Sequence, residues 1–183
     1  RSTGAQQWAK DTLPDTVRVC PSADQRDDYA EEFDAVLVVT PHKTHPALVM
    51  QAFAHGKHVL CDKPSANALA PALEMNRAAE KSGLVFAMMF HQRRYKKYMR
   101  LKKLLDDGAL GEIKRVQLEN SRYFRTWMYH RSGSWRSSWA GEGGGALLNQ
   151  GQHILDIWQW LFGMPTSNYA VLPYGKKNDL MVD

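Results

Sequence analysis

The sequence predicts an α/β protein: a parallel sheet built from strand-helix-strand units, followed by a region of different texture with its own strand. Three observations carry this. Short apolar runs rich in β-branched residues alternate with segments of helical periodicity between Ala35 and Phe90. Helical segments there stop on a glycine, Gly56 or Gly83, before the next apolar run begins. Beyond Arg94 the pattern changes to a basic amphipathic helix and then to period-two alternation.

The elements run in order along the chain. Ala35-Val-Leu-Val-Val-Thr40, stopped by Pro41, reads as a strand covered on both faces. Pro46 suits the first turn of a helix over residues 47–55, and Gly56 supplies its left-handed stop. A short strand at His58-Val-Leu-Cys61, a helix from about Pro71 to Ser82 and a strand from Leu84 to Phe90 repeat the cycle. Two such units in series imply right-handed crossovers, with ligand sites at the carboxyl ends of the strands. That rule points to Thr40-Pro41, Asp62-Lys63-Pro64 and His91-Gln92. Next come a basic helix ending at Gly108 and a strand from Glu112 to Tyr123 whose second face is polar. Phe124 to Gly145 is rich in Trp, Ser, Arg and Gly with little periodicity, and loops of that length are often functional. A last helix from about Leu148 to Phe162 carries Ile154, Ile157, Trp158 and Leu161 on its apolar side.

Composition narrows the function classes. The 183 residues, 44% of them hydrophobic, suffice for one domain or two small ones. A chain of that size buries roughly 70% of its unfolded surface without needing metal or disulfide. Cys20 and Cys61 form no CxxC or zinc spacing, which suggests a reducing compartment, although the pair could in principle bridge. No apolar run approaches the roughly 20 residues of a membrane span, and the first residues lack a secretory profile. A cytoplasmic location is the expectation, any leader upstream of Arg1 lying out of view. The net charge of +5 invites a nucleic-acid reading. The densest basic stretch, Arg93 to Lys103, instead carries Tyr98, Leu101 and Leu105 at helical spacing, so its lysines read as a solvated helix face. Neither nucleic acid nor membrane is an expected partner.

Several residues could carry chemistry. Asn149, His153 and Asp156 stand at i, i+4 and i+7, where a helix would stack them and offer each imidazole nitrogen a partner, as proton transfer requires. A histidine satisfied within a core gives the same spacing. Gly143-Gly-Gly145 reads either as an anion cradle at a helix start or as a tight entry where backbone packs closely. Lys63, at a strand's carboxyl end before a proline, can project into the crevice, though most lysines are simply solvated. His42 and His45 have an H-x-x-H spacing, but nothing nearby completes a zinc site, so no metal is expected. His45 better suits a cofactor contact or a capping role. Trp127, Tyr129, Trp135 and Trp139, interleaved with Arg125, Arg131 and Arg136, suit sugar stacking and hydroxyl contacts, and equally a protein interface.

Together these segments resemble the glucose-fructose oxidoreductase and inositol dehydrogenase family, often called Gfo/Idh/MocA. Three blocks carry the resemblance: Asp34 to Pro41 with His45 beyond it, Gly56 to Pro64 with its Asp62-Lys63-Pro64, and Gly143 to Asp156 with Asn149 and His153. The resemblance implies a partial Rossmann-type, doubly wound parallel sheet over residues 1–92. An α+β substrate domain with an antiparallel sheet would occupy 93–183. It also implies oxidation of a secondary hydroxyl of a sugar, glycoside or polyol by NAD or NADP. Relatives that cleave glycosides through a transient oxidation, and a non-catalytic sugar- or nucleotide-sensing protein on the same scaffold, are the alternatives.

By resemblance Lys63 and His153 face substrate and nicotinamide, with His153 as general base, Lys63 stabilising developing negative charge and Asn149 orienting the substrate or imidazole. Thr40, Pro41, His45, Asp62, Lys63 and Gln92 would contact the cofactor; Arg94, Tyr95, Trp135, Arg136, Asn149 and His153 would contact substrate. Two departures stand out. Asp62 replaces the glutamate of an E-K-P motif, and Asn149 replaces an aspartate that could carry charge. The family's opening strand and G-x-G-x-x-G turn do not precede Arg1, so the chain is expected to be a fragment or incompletely observed. The choice between NAD and NADP then lies upstream, turnover belongs to the intact protein, and a homodimer or homotetramer is its expected assembly.

Overall fold

The structure is a computed structural model that describes residues 3–14, 16, 31–121, 125–131, 135 and 138–171. Three short strands, β1 (Ala35–Val38), β2 (His58–Cys61) and β3 (Phe86–Met88), form one parallel sheet in sequence order. Val36 pairs with Val59 and Val59 with Phe86, so one set of alternate side chains from all three strands shares a face. Counting a helix α1 (Thr3–Thr12) ahead of the sheet, the two helices that cover that face are α2 (His45–Ala54), opened by Pro46 in its first turn, and α3 (Leu69–Ser82). The core they close is Val38, Val49, Ala52, Val59, Cys61 and Met75, with Phe53 edge-on to Phe86 at 5.7 Å. Gly83 caps α3 at φ 65°, the left-handed conformation its position in the sequence predicts. Pairing runs past the strand ends, Asp62 N–H donating to Val38 O at 2.8 Å and Met89 N–H to Cys61 O at 2.9 Å. This extension holds the carboxyl edge of the sheet, where Asp62 and Lys63 emerge.

The thiol of Cys61 is free and fully buried; burial, reinforced by the Asp62 carboxylate, pushes it up to about 12. Cys20 lies outside the described residues.

Two expectations about the sheet fail. β1 is covered on one face only: Leu37 is 55% exposed and Leu60, on the same face, 39%. In a sheet whose order runs with the sequence, successive crossovers of one hand place their helices on one side, and covering the other side needs a reversal of direction that these strands do not contain. The second correction concerns the antiparallel sheet. Among the described residues there is none; the regular elements described beyond Arg94 are all helices, and residues 112–121 form no strand. The alternation is visible in the half-burial of Val116 and Leu118, but no described segment pairs with theirs, and unpaired backbone groups do not make a sheet.

Beyond the sheet the chain forms α4 (Lys96–Asp106), a short α5 (Trp127–Arg131) and α6 (Gln152–Phe162), the last entered through a π-helical turn over Leu147–Gly151. Lys102 and Lys103 pair with Asp106 and Asp107 one turn ahead, as a solvated basic helix face does. The helix α1 has no counterpart among the elements expected from the sequence; its Trp8 is exposed and its Gln7 Nε2 donates to Asp11 Oδ1 at 2.8 Å. No helix among the described residues is long and apolar enough to cross a membrane.

The sheet-facing side of α3 depends on Met75, which is completely buried. Met75→Ala should lower the unfolding free energy by about 2–5 kcal/mol, read as a reduced urea midpoint with an unchanged slope. An unchanged midpoint would mean that α3 does not close this core.

Candidate functional site

The carboxyl edge of the sheet is assembled from three directions. The turn after β1 brings Thr40, Pro41 and His42; the turn after β2 brings Asp62 and Lys63; the π turn before α6 brings Asn149. Asp62 Oδ1 accepts the Lys63 backbone N–H at 2.8 Å, so the shorter carboxylate still caps the turn. The Lys63–Pro64 peptide is cis. Lys63 Nζ donates to the Asn149 carbonyl at 2.6 Å and to its Oδ1 at 2.9 Å, joining the sheet to the last helix across 86 residues of sequence. His45 is fully buried beneath, its ring nitrogens 2.8 Å from Pro64 O and 2.7 Å from Thr40 O, so it ties the two strand-end turns together.

A cleft of about 210 Å³ opens at this edge, lined by Thr40, Pro41, His42, Asp62, Lys63, Trp135 and Asn149 among others. His42 Nδ1 lies 3.3 Å from the Glu142 carbonyl, and its ring meets Trp135 edge-on at 4.7 Å. Burial lowers the His42 pKa below the ordinary histidine value; His45 and Lys63 add to that, while the Glu142 carbonyl and carboxylate oppose it.

A second cleft, of about 320 Å³, lies beside the first and is lined by Gln92, Tyr95, Tyr98, Asn120, Gln150 and His153 with their neighbours. The consecutive residues Asn149 and Gln150 each face one cleft. His153 is 6% exposed, and its Nδ1 is buried with no hydrogen-bond partner among the described residues. Burial lowers its pKa, Lys63 and His91 lower it further, and Asp156 and Asp62 partly oppose. Its ring sits edge-on to His91 at 5.0 Å and to Phe90 at 6.3 Å.

The expected site residues therefore separate. Thr40, Pro41, Asp62, Lys63, Trp135 and Asn149 share the first cleft; Gln92, Tyr95 and His153 share the second. His45 lies under the edge rather than on it, and Arg94 is exposed and lines neither cleft. Arg136 lies outside the described residues. The stacked Asn149-His153-Asp156 face does not form as a hydrogen-bonded set. The π turn shifts Asn149 toward Lys63 and Glu142, and Asp156 is taken by Arg93 through two bonds of 2.8 and 2.5 Å. Asp156 in turn raises the Arg93 pKa. Among the described residues, no group of three or more His, Cys, Asp or Glu side chains is placed to hold a metal.

Two residues of this edge are not singled out by sequence reasoning. Arg93, adjacent to the expected Arg94, anchors α6 to the turn after β3. Glu142 is wholly buried, accepts a hydrogen bond from Asn149 Nδ2 and lies 3.6 Å from Arg125. The only signal for Glu142 is an acid standing directly before Gly143-Gly-Gly145. Those glycines serve close approach: a Cβ on Gly143, at φ 80°, would meet Asn67 Cβ at 2.5 Å, and one on Gly144 would meet Leu148 at 2.6 Å.

Residues 5–90 match the family described as an oxidoreductase family with an NAD-binding Rossmann fold, and residues 98–181 match the GFO/IDH/MocA C-terminal domain. The scyllo-inositol 2-dehydrogenase (NADP+) IolW of Bacillus subtilis is 31% identical over 182 residues, 99% of this chain and 49% of that protein. Among solved structures, the WlbA dehydrogenase of Bordetella pertussis, in complex with NADH and UDP-GlcNAcA, superposes with a TM-score of 0.73 at 26% identity. That match covers 88% of this chain and 45% of the WlbA chain. The aldose-aldose oxidoreductase of Caulobacter crescentus, complexed with glycerol, gives 0.69 at 27% identity over 89% of this chain and 48% of its own. The chain thus spans about half the length of these relatives. With both family models matched in order along the chain and a family dehydrogenase 31% identical over 99% of it, the chain belongs to the Gfo/Idh/MocA family of oxidoreductases.

Proposed function

We propose that this protein oxidises a secondary hydroxyl of a sugar, glycoside or polyol, with NAD or NADP as hydride acceptor. One observation carries the reading: a lysine held at the sheet edge and a buried histidine with a lowered pKa are brought to adjoining clefts by a single turn of chain, Asn149-Gln150. Family membership supports it, as do relatives named for an inositol and an aldose and one solved in complex with a nucleotide sugar. The family models adjoin between residues 90 and 98, which supports a division near residue 92 between a cofactor domain and a substrate domain.

The residues of the first cleft fit a nicotinamide group. The space is large enough for a ring but not for a dinucleotide, and it is bounded by the threonine and proline after β1, the carboxylate and ammonium after β2, and the indole of Trp135. Thr40, Pro41 and Asp62 would hold the group there. When bound, it accepts hydride from the substrate carbon.

The chain's own residues handle the proton and the charge. With its pKa lowered, His153 is neutral at pH 7 and able to take the hydroxyl proton. Nδ1 is enclosed, so the proton enters at Nε2. The Lys63 ammonium stabilises the negative charge that develops on the same oxygen. Asn149 cannot act as a base, but it holds the ammonium in place through two oxygens. Tyr95, whose ring stacks on Tyr98, offers an aromatic wall in the second cleft for the apolar face of a sugar ring.

Two outcomes test this reading. In the full-length protein, with a panel of inositols, aldoses and glycosides and nicotinamide absorbance as the readout, His153→Asn should reduce kcat by about 10²–10⁴-fold without loss of the folded circular-dichroism signal. Wild-type turnover in that variant would overturn the base assignment. Because the working form is the unprotonated ring, kcat/KM for oxidation should rise with pH through an apparent pKa below 6.5.

The same shifts predict how stability depends on pH. His42 and His153 both have folded pKa values below the unfolded value, so the unfolded chain binds more protons in the window just beneath 6.5. Their contribution is present in full above 6.5 and is lost as pH falls through the folded values. The urea midpoint should therefore drop on acidification below 6.5, and less steeply in His42→Gln and His153→Asn; identical slopes in all three proteins would contradict the assignment.

A further inference from the structure

Lys63 alone does not determine which way the Asn149 amide faces. A lysine ammonium only donates, so it needs the amide oxygen, and nothing intrinsic to asparagine prevents the NH2 from turning toward it. On the far side of the amide stands Glu142, a carboxylate that only accepts and receives the Asn149 Nδ2 hydrogen bond. The order ammonium, amide oxygen, amide nitrogen, carboxylate is the one arrangement in which every contact is a donor meeting an acceptor.

Glu142 is itself held rigidly. It is 0% exposed, its N–H donates to Ser138 O at 2.8 Å, its own carbonyl is 3.3 Å from His42 Nδ1, and Arg125, only 13% exposed in its side chain, lies 3.6 Å from Oε1. The next residue, Gly143, is pressed so closely on Asn67 that a side chain would not fit. A buried carboxylate carries a large desolvation cost unless its surroundings are built for it, and two neighbours of this one, His42 and Asn149, also line the first cleft.

We infer that Glu142 is a positioning residue: by holding Asn149 Nδ2 it turns the amide oxygen toward Lys63 and thereby aims the ammonium into the first cleft. It touches neither ligand nor reacting atoms and acts through Asn149. The kinetic part of this inference rests on the proposed function; the geometric part does not.

The test is a charge relocation in the full-length protein. Glu142→Gln replaces an acceptor with an amide that can present either end, so Asn149 is free to turn. Asn149→Asp alone sets two carboxylates against each other in a buried place. In the double variant E142Q/N149D, the glutamine NH2 donates to the new aspartate, which accepts from Lys63, and the net charge of the pair is unchanged.

Two readouts are taken on each protein: trace acetic anhydride labelling of Lys63, measured by peptide mass spectrometry, and kcat with KM on the best sugar or polyol. E142Q should raise the Lys63 labelling rate about fivefold or more and lower kcat about tenfold or more, with KM changed less than about threefold. Asn149→Asp should likewise lower kcat, and the double variant should return labelling to within about twofold of wild type and recover most of kcat.

Wild-type labelling and kcat in E142Q would overturn the inference. So would a double variant no better than the worse single, since a merely structural glutamate is not rescued by moving its charge onto residue 149. If the wild-type protein oxidises nothing on the panel while the labelling pattern holds, the proposed function fails and the placement of Lys63 by Glu142 stands.

Discussion

Everything at the sheet edge is arranged around one ammonium. Lys63 leaves β2 at the point where parallel pairing stops, and its Nζ is fastened to Asn149 by two hydrogen bonds. That contact ties the strand layer to the helix bearing His153. It also gathers donors and cations in a small space: Lys63, His42, Trp135 and, behind them, His45 and Arg125. Positive groups brought together away from water repel one another and lose solvation. The lowered pKa values of His42 and His153 are the visible result, for burial and the Lys63 charge act on both in the same direction. Asp62 and Glu142 are the carboxylates that make the cluster tenable, one at the mouth of the cleft and one buried behind the amide.

The π turn over Leu147–Gly151 is what allows one helix to serve two clefts. In an uninterrupted helix Asn149, His153 and Asp156 would lie along one stripe and compete for the same partners. The wider turn breaks that stripe. Asn149 turns to the sheet, His153 faces Gln92 and Tyr95, and Asp156 goes to Arg93, whose guanidinium also lies 5.9 Å from the Phe90 and Trp160 rings. Arg93 thereby fixes the rotation of α6 at a second point. Two charged residues from successive strand-end turns thus grip one helix at points seven residues apart, and His153 lies between them.

The same geometry accounts for what is legible in the sequence and what is not. Strand-helix alternation and glycine stops locate β1, α2, β2, α3 and β3 to within a few residues, because local periodicity and left-handed caps are short-range properties. The strand-end rule then places Thr40, Pro41, Asp62 and Lys63 at one edge. The alternating run at 112–121 misleads because a period of two says which residues share a face and nothing about whether a partner strand is there. The bare face of β1 escapes for a related reason: a continuous apolar run describes a strand able to be covered twice, while the topology decides whether it is. The π turn has no composition of its own, so the stacked triad it dissolves looks sound by spacing. Arg93 and Glu142 depend on contacts across 63 and 7 residues that no local pattern announces.

Asparagine at position 149 illustrates how a substitution in a motif can leave its logic intact. A neutral amide between an ammonium and a carboxylate transmits polarity without carrying charge, because its dipole is aligned by partners at both ends. The negative charge is thereby set one side chain deeper than an aspartate would place it, where water does not reach. In this contact the direct partners of Lys63 are two neutral oxygens. Under the proposed function, an ammonium met by neutral oxygens on this side would stabilise an alkoxide developing in the cleft. The separation of a positioned cation in one cleft from an enclosed imidazole in the next is set by the same turn of chain.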